Sequence, residues 1–144
     1  MQVLELMKTH VVTTTVDDTL SNALDLMDLY QVDGLPVVDD VGQLCGMLTE
    51  TNISNALMSD VLLDVGDTAL LDALRKRASV GLTRVGDLMT RSALSITESS
   101  DVVEATVLLL RSGRKRLPVT ALGGKVVGTF NRIDVFQAVI EEIL

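Results

Sequence analysis

Aromatic side chains are scarce in this chain of 144 residues, which has two Phe, one Tyr and no Trp. Proteins that hold single-stranded nucleic acid generally stack the bases on aromatic rings. Duplex DNA attracts cationic protein surfaces, whereas the formal net charge of this chain is −8. The composition therefore predicts no nucleic-acid partner.

Cysteine and histidine occur once each, as Cys45 and His10. A single cysteine excludes an intrachain disulfide, and we expect Cys45 to be a small buried side chain on a strand. No Cys or carboxylate clusters with His10, so we predict no metal site and a surface or packing role for this residue. Neither residue belongs to a recognisable Ser–His–Asp or Cys–His set, and no complete P-loop motif is present. We therefore expect no catalytic residues and no enzymatic activity.

Long apolar runs are also missing, because no stretch approaches the roughly 18 residues of a transmembrane helix. The first residues do not resemble a signal peptide. We expect a cytoplasmic protein, or one from a soluble organelle compartment, with no membrane partner. Because 47% of the residues are hydrophobic, the chain should fold around a core of Val, Leu, Ile, Ala and Met.

Charge is distributed unevenly along the chain. Residues 1–72 contain 13 acids and one base, Lys8, whereas residues 73–144 contain 7 acids and 11 bases. Four of these bases form a cluster: Arg111, Arg114, Lys115 and Arg116. Such a cluster favours a small anion. Cations are also stabilised at the end of a helix, which accounts well for Arg111 but poorly for Arg116, because Arg116 directly precedes a predicted strand.

The chain contains an internal repeat. When it is shifted by 82 residues, residues 1–62 align with residues 83–144 without a gap, and 13 of the 62 pairs are identical. The identical pairs include two glycines and the Leu-Pro-Val run that uses both prolines of the chain: Leu35-Pro36-Val37 with Leu117-Pro118-Val119, Gly42 with Gly124, and Gly46 with Gly128. A repeat of this length indicates two copies of one structural unit.

Each copy has the pattern β-α-β-β-α. In the first copy Leu20, Ala23, Leu24 and Met27 have helical spacing. Capping residues precede this helix at Asp17–Thr19 and its counterpart in the second copy at Ser99–Asp101. Two strands joined by a glycine-containing turn follow, which is typical of a hairpin that needs positive φ. A second helix, at about 51–58 and 132–143, closes each copy. We therefore predict an α/β fold with two small sheets.

The predicted domains are residues 1–58 and 83–144, and residues 59–82 form a helical connector between them. We expect Asp67 to cap the connector helix. Leu70, Leu71, Leu74 and Ala78 form an apolar stripe on that helix, which we expect to pack on the rest of the chain.

The start of the last predicted helix has the features of an anion site. Asn131 stands where a strand ends, Arg132 follows, and Asp134 lies one turn into the helix. Backbone N–H groups at a helix N-terminus are unpaired and favour an anion such as phosphate. A carboxylate at Asp134 can accept hydrogen bonds from two ribose hydroxyls. The alternative interpretation is that Asn131 is an N-cap and Asp134 a first-turn acid, which would only stabilise the helix.

The repeated residues resemble the CBS domain family, named after cystathionine β-synthase, over about residues 3–57 and 85–140. The runs that support the resemblance are Gly34-Leu35-Pro36-Val37-Val38-Asp39-Asp40 with Gly46-Met47-Leu48-Thr49-Glu50-Thr51-Asn52-Ile53, and Arg116-Leu117-Pro118-Val119 with Gly128-Thr129-Phe130-Asn131-Arg132-Ile133-Asp134-Val135. The resemblance implies two repeats packed with pseudo-twofold symmetry and two clefts that bind adenosine-containing ligands. It also implies a regulatory module, usually a homodimer, that controls a protein partner.

For this chain the resemblance implies a stronger nucleotide site in the second copy. Lys115 and Arg116, directly before the Leu-Pro-Val strand, are expected to bind phosphate, and the extended segment near Thr90, Ala93 and Leu94 is expected to bind adenine. The full set of expected residues is Thr90, Ala93, Leu94, Lys115, Arg116, Pro118, Thr129, Asn131, Arg132 and Asp134. Three cations near one cleft favour AMP, ADP or ATP over S-adenosylmethionine, whose sulfonium is positive. Asn131 departs from the family pattern, which has Ser or Thr at this position.

A weaker second site is expected in the first copy, formed by His10, Val11, Thr13, Gly34, Pro36, Thr49 and Asn52. Asn52 replaces the usual acid, and Glu50 would repel a phosphate. Two alternatives remain at this point. One is a structural dimerisation or docking module without a physiological nucleotide, and the other is an S-adenosylmethionine-binding module.

Overall fold

The structure of the protein is a computed structural model, and it describes residues 1–58 and 65–144. These residues form six helices and two three-stranded sheets. The elements of the first copy are β1 (Thr14–Thr15), α1 (Leu20–Tyr30), β2 (Gly34–Val38), β3 (Leu44–Thr49) and α2 (Glu50–Met58). Helices α3 (Asp67–Arg75) and α4 (Val85–Leu88) follow in the chain. The elements of the second copy are β4 (Ile96–Thr97), α5 (Val102–Ser112), β5 (Arg116–Thr120), β6 (Val126–Asn131) and α6 (Arg132–Ile140). The predicted β-α-β-β-α order is confirmed in both copies.

The sheets have the same strand order, β1-β2-β3 in one and β4-β5-β6 in the other. The first strand of each sheet runs parallel to the second. In the second sheet β5 and β6 form an antiparallel hairpin that pairs Arg116 with Asn131 and Pro118 with Thr129. The connecting turn has Gly123 and Gly124 at φ +93° and +90°, values that glycine adopts without strain. The predicted hairpin is therefore confirmed.

Capping side chains begin the long helix of each copy. Thr19 Oγ1 accepts a hydrogen bond from Asn22 N at 3.2 Å. Asp101 Oδ2 accepts from the backbone N–H groups of Val103 and Glu104 at 3.1 and 3.2 Å. Each cap satisfies donors that the helix itself leaves unpaired, which explains why α1 and α5 begin at these positions.

The connector is described only in part, because residues 59–64, which belong to the predicted connector, lie outside the described residues. Helix α3 (Asp67–Arg75) begins after Gly66, which occupies the N-cap position. The prediction that Asp67 caps the helix is therefore wrong. Asp67 lies in the first turn, where the helix dipole favours a carboxylate. Leu70 and Leu74 are half-buried whereas Leu71 is 48% exposed, so the predicted apolar stripe is covered only in part.

The chain divides into two compact units whose segments alternate along the sequence. The first-copy unit comprises residues 12–39 and 45–92, and the second-copy unit comprises residues 1–11, 40–44 and 93–144. Each has its own core. Val85 and Met89, which belong to the predicted second domain, lie in the core of the first-copy unit, whereas Val3, which belongs to the predicted first domain, lies in that of the second-copy unit. The domain boundaries at 58 and 83 stay predictions.

Cys45 lies on β3 as predicted, but it is half-buried rather than buried, against the core of the first-copy unit. None of the helices in the described part of the chain has the length and apolarity needed to cross a bilayer.

Candidate functional site

The two strands of the second-copy hairpin bring four of the predicted site residues to one pocket. Lys115, Arg116, Asn131 and Arg132 line a cavity of about 240 Å³. The register of the hairpin explains this, because Arg116 on β5 lies opposite Asn131 on β6. One residue further, Arg132 N donates to Lys115 O at 2.8 Å. Residues that are 15 positions apart (Arg116 and Asn131) and 17 positions apart (Lys115 and Arg132) in sequence are thereby fixed side by side.

Two apolar residues that sequence reasoning missed complete the lining of this pocket. Ile133 and Phe136 lie on the first turns of α6. Ile133 is 69% exposed and Phe136 is 44% exposed. Exposed apolar side chains beside cations provide a surface for a ligand that is part anion and part ring. The available signal was the aromatic residue itself, one of only two Phe in the chain.

Asn131 occupies the N-cap position of α6, but its side chain makes no capping hydrogen bond. Its Oδ1 atom is buried and has no hydrogen-bond partner among the described residues. Leaving a buried acceptor unsatisfied costs about 1–3 kcal/mol. The alternative in which the Asn131 side chain serves only as a cap therefore does not describe this structure.

Asp134 shows the same feature one turn later. Its side chain is 12% exposed, and Oδ1 lies 3.4 Å from Lys8 Nζ. The other oxygen, Oδ2, is buried and likewise has no hydrogen-bond partner in the part of the chain that the structure describes. An ionised carboxylate has about four acceptor positions, so Asp134 retains capacity for ligand hydroxyl groups.

The equivalent residues of the first copy satisfy one another. Asn52 Oδ1 accepts hydrogen bonds from Thr49 N at 2.9 Å and from Thr49 Oγ1 at 3.0 Å. Asn52 Nδ2 donates to Thr90 Oγ1 at 3.0 Å. The amide of Asn52 is thus engaged at both its oxygen and its nitrogen. Glu50, at the position equivalent to Arg132, begins α2 and adds a negative charge there.

The structure corrects the grouping of residues near the two Leu-Met turns. Thr90 was predicted in the second-copy site, but it lies in the first-copy unit. There it exchanges two backbone hydrogen bonds with Met47, both at 2.9 Å. Close packing of the Thr90 backbone on Gly46, where a Cβ atom would clash with Thr90 O, holds the segment in place.

The same exchange places the N-terminal segment with the second copy. Lys8 forms two backbone hydrogen bonds of 2.9 Å with Thr129, and a Cβ atom on Gly128 would lie 2.6 Å from Lys8 O. His10 and Val11, predicted in the weaker first-copy site, accordingly lie in the second-copy unit. Sequence reasoning missed Lys8 as a site residue, although it is the one base among residues 1–72.

The other predicted residues keep their copy. Ala93 and Leu94 belong to the second-copy unit, where Leu94 packs against the core. Pro118 is buried on β5. Three residues of the weaker site lie in the first-copy unit with Thr49 and Asn52: Thr13, Gly34 and Pro36. Among the described residues, no group of three or more His, Cys, Asp or Glu is arranged to hold a metal ion.

Comparison with known proteins agrees with the repeat and the fold. The family model of the CBS domain matches this chain twice, at residues 3–59 and 85–141. The chain belongs to the CBS domain family. The resemblance predicted from the repeated runs is thus confirmed, and the two copies are CBS repeats.

Relatives of this CBS-domain chain occur in plants and amoebae. The chloroplastic CBS domain-containing protein CBSX2 of Arabidopsis thaliana is 36% identical in an alignment 144 positions long. This alignment covers 92% of this chain and 59% of that protein. A CBS domain-containing protein of Dictyostelium discoideum is 30% identical over 137 residues, which cover 95% of this chain and 90% of that protein. The chain therefore spans less than two thirds of the plant relative. Both relatives are named for their CBS domains.

A solved structure shows the same CBS fold. The crystal structure of CBSX2 in complex with AMP superposes with a TM-score of 0.75 at 28% sequence identity. The superposition covers 98% of this chain and 97% of the other chain. The CBS fold is thus shared along nearly the whole chain.

Proposed function

We propose that this chain is a regulatory CBS module that binds an adenine nucleotide, AMP, ADP or ATP, at the second-copy site. Nucleotide binding would alter the shape of the module or its association with a second copy, and so act on a protein partner. Catalysis is not part of this function. In this proposal Asn131 and Arg132 meet the phosphate, and Asp134 accepts hydrogen bonds from the ribose hydroxyl groups.

The observation that carries the proposal is the pair of buried, unsatisfied oxygens at the start of α6. Asn131 Oδ1 and Asp134 Oδ2 have no partner among the described residues, and native proteins rarely leave such atoms without one. The ribose diol supplies O–H donors for Asp134 Oδ2, and a ligand hydroxyl group or a bound water can donate to Asn131 Oδ1, whereas the phosphate oxygens accept from the side-chain amide N–H of Asn131 and from Arg132. The ligand would thus supply hydrogen bonds that the protein alone does not make at this site.

Charge favours a phosphorylated ligand. Lys115, Arg116 and Arg132 line the same pocket. Arginine binds phosphate through two parallel N–H groups, and the dipole at the N-terminus of α6 adds to the positive potential. The same cations would repel the sulfonium of S-adenosylmethionine, so we place that alternative second. The complex of CBSX2 with AMP supports an adenylate for a related fold.

The two copies are expected to differ in affinity. In the first copy Asn52 already bonds to Thr49 and Thr90, so a ligand would have to break hydrogen bonds before forming new ones. Glu50 would also repel a phosphate. The second copy has the unsatisfied acceptors and the cations. We therefore propose one strong site for each chain, with the first-copy site weaker.

Association with a second copy is a further part of the proposal. Helix α6 exposes Ile133, Val139 and Ile140, at 69%, 55% and 80%. Apolar residues grouped on one helix favour an interface, which supports a homodimer. A purely structural docking role uses the same surface but needs no nucleotide, so ligand binding separates the two candidate functions.

The test uses the purified chain as it is isolated. Native mass spectrometry would detect a co-purified adenylate, and thermal unfolding would be followed with AMP, ADP, ATP, adenosine and S-adenosylmethionine. A ligand that binds only the folded state at 100 times its Kd stabilises that state by about 2.7 kcal/mol. We expect the three phosphorylated ligands to raise the Tm most. If none of them raises it and no adenylate co-purifies, the docking function is favoured instead.

A further inference from the structure

Lys8 is not one of the proposed nucleotide contacts, but it contacts Asp134, which is one of them. Lys8 Nζ is 3.4 Å from Asp134 Oδ1, with the lysine side chain 62% exposed and the aspartate side chain 12% exposed. An exposed ion pair usually contributes little to stability. This pair differs because one partner is nearly buried and carries an unsatisfied oxygen.

The backbone of Lys8 is held in place independently of its side chain. Its N–H donates to Thr129 O and its carbonyl oxygen accepts from Thr129 N, both at 2.9 Å. Gly128 leaves room for this approach, since a Cβ atom there would lie 2.6 Å from Lys8 O. The Lys8 side chain therefore extends from a backbone that is fixed beside Thr129 on β6, three residues before α6 begins at Arg132.

The first copy has a neutral version of the same arrangement. Thr90, the repeat equivalent of Lys8, accepts a hydrogen bond from Asn52 Nδ2 at 3.0 Å. Asn52 is the equivalent of Asp134, and its oxygen is turned to Thr49. In both copies, the residue after the Leu-Met turn thus binds one end of the polar side chain at the position of Asp134. The other end of this side chain differs between the copies. In the first copy it is the Asn52 oxygen, which bonds to Thr49 at the start of α2, and in the second it is Asp134 Oδ2, which is unsatisfied among the described residues.

We propose that Lys8 is a positioning residue for the nucleotide, acting through Asp134. Lys8 binds Oδ1, holds the carboxylate in its orientation, and leaves Oδ2 to accept hydrogen bonds from the ribose diol. This inference rests on the proposed function and adds a specificity determinant to it. The ligand class that follows is a ribonucleotide with both hydroxyl groups free, in preference to a nucleotide without them.

The test measures AMP and 2′,3′-dideoxy-AMP binding by calorimetry to the full chain and to Lys8→Met, Lys8→Arg, Asp134→Asn and the double variant Lys8→Met/Asp134→Asn. We expect Lys8→Met to weaken AMP binding by about five- to tenfold, as expected for loss of a charge-assisted contact. Lys8→Arg should restore affinity to within about twofold, because it keeps the charge. Dideoxy-AMP should bind Lys8→Met and the wild-type chain equally, and Lys8→Met should have no further effect when Asp134 is Asn.

Each other outcome overturns the inference in a distinct way. Equal loss for AMP and dideoxy-AMP would mean that Lys8 acts on the phosphate, and tighter AMP binding by Lys8→Met would mean that Lys8 competes with the ligand for Asp134. Unchanged AMP affinity would remove any role for Lys8 while leaving the proposed function intact. Failure of the wild-type chain to bind any adenylate would overturn both. The ligand-free Tm of each variant separates these results from misfolding.

Discussion

Asp134 Oδ1 on helix α6 lies 3.4 Å from Lys8 Nζ on the N-terminal segment. The two residues are 126 positions apart in sequence, and backbone pairing of Lys8 with Thr129 brings them together. The proposed second-copy site therefore includes residues from both ends of the chain. The equivalent pair in the first-copy unit, Thr90 with Asn52, is also separated in sequence and also joined by backbone pairing to the preceding strand.

Replacing Arg116 separates phosphate recognition from adenosine recognition. Arg116→Ala should weaken AMP binding by about tenfold, since it removes a guanidinium from the pocket, and should leave adenosine binding unchanged. Calorimetric titration with both ligands checks this. Arg75→Ala, which removes an exposed arginine paired with Asp72 in α3, is the control and should change neither affinity. Equal losses for AMP and adenosine would contradict a phosphate role for Arg116.

Adding a side chain at Gly128 tests the close approach of the N-terminal segment. In Gly128→Ala the new Cβ atom would lie 2.6 Å from Lys8 O and 2.8 Å from Met7 Sδ. Overpacking of this kind lowers the free energy of unfolding by roughly 1–3 kcal/mol, which urea denaturation measures. Gly81→Ala is the matched control, because its nearest contact, Ser21 Cβ at 3.7 Å, is ordinary. Equal stability of the two variants would show that the segment does not pack on Gly128 in solution.

The cap of α5 contributes to stability independently of the ligand. Asp101→Ala removes an acceptor for two backbone N–H groups and should lower the free energy of unfolding by about 1 kcal/mol. Asp17→Ala makes the same substitution at an exposed ion pair with Arg84, where the expected loss is at most a few tenths of a kcal/mol. Thermal unfolding of both variants compares the two. If Asp17→Ala lowered the free energy of unfolding more than Asp101→Ala does, the Asp101 cap would not have the stabilising role assigned to it.

Asn52 should matter for stability and not for the strong nucleotide site. Asn52→Ala leaves Thr49 N without its acceptor and Thr90 Oγ1 without its donor, which should cost about 1–3 kcal/mol of unfolding free energy. Its effect on the affinity for AMP should be less than about twofold. Denaturation and calorimetry on the same preparation measure both quantities. A large drop in AMP affinity would place the strong site in the first copy.

Much of the fold could be predicted because the repeat doubles each local signal. Glycines at Gly42 and Gly124 indicated the two turns, and both positions have positive φ. Asp101 and Thr19 fell within the predicted capping segments because short polar side chains directly before an apolar helix commonly accept hydrogen bonds from its first N–H groups. The prediction that Asp67 caps α3 was wrong, because Gly66 precedes it and occupies the N-cap position, which glycine also favours.

The exchange of Lys8 and Thr90 between the copies could not be predicted in the same way. It depends on backbone pairing of a single residue with a distant strand, and such contacts leave no periodic pattern in the sequence. Gly46 and Gly128 carried the signal, because each packs against the backbone of the exchanged segment. A glycine on a strand has several explanations, however, so the sequence alone did not identify the partner.

Calorimetric titration of AMP into the wild-type chain and into Asp134→Ala tests the central claim most directly, with Asn52→Ala as the matched variant in the other copy. We expect one strong AMP site for each wild-type chain, an affinity at least about tenfold lower in Asp134→Ala, and little change in Asn52→Ala. Unchanged affinity in Asp134→Ala, or loss in Asn52→Ala alone, would contradict a nucleotide site at the start of α6.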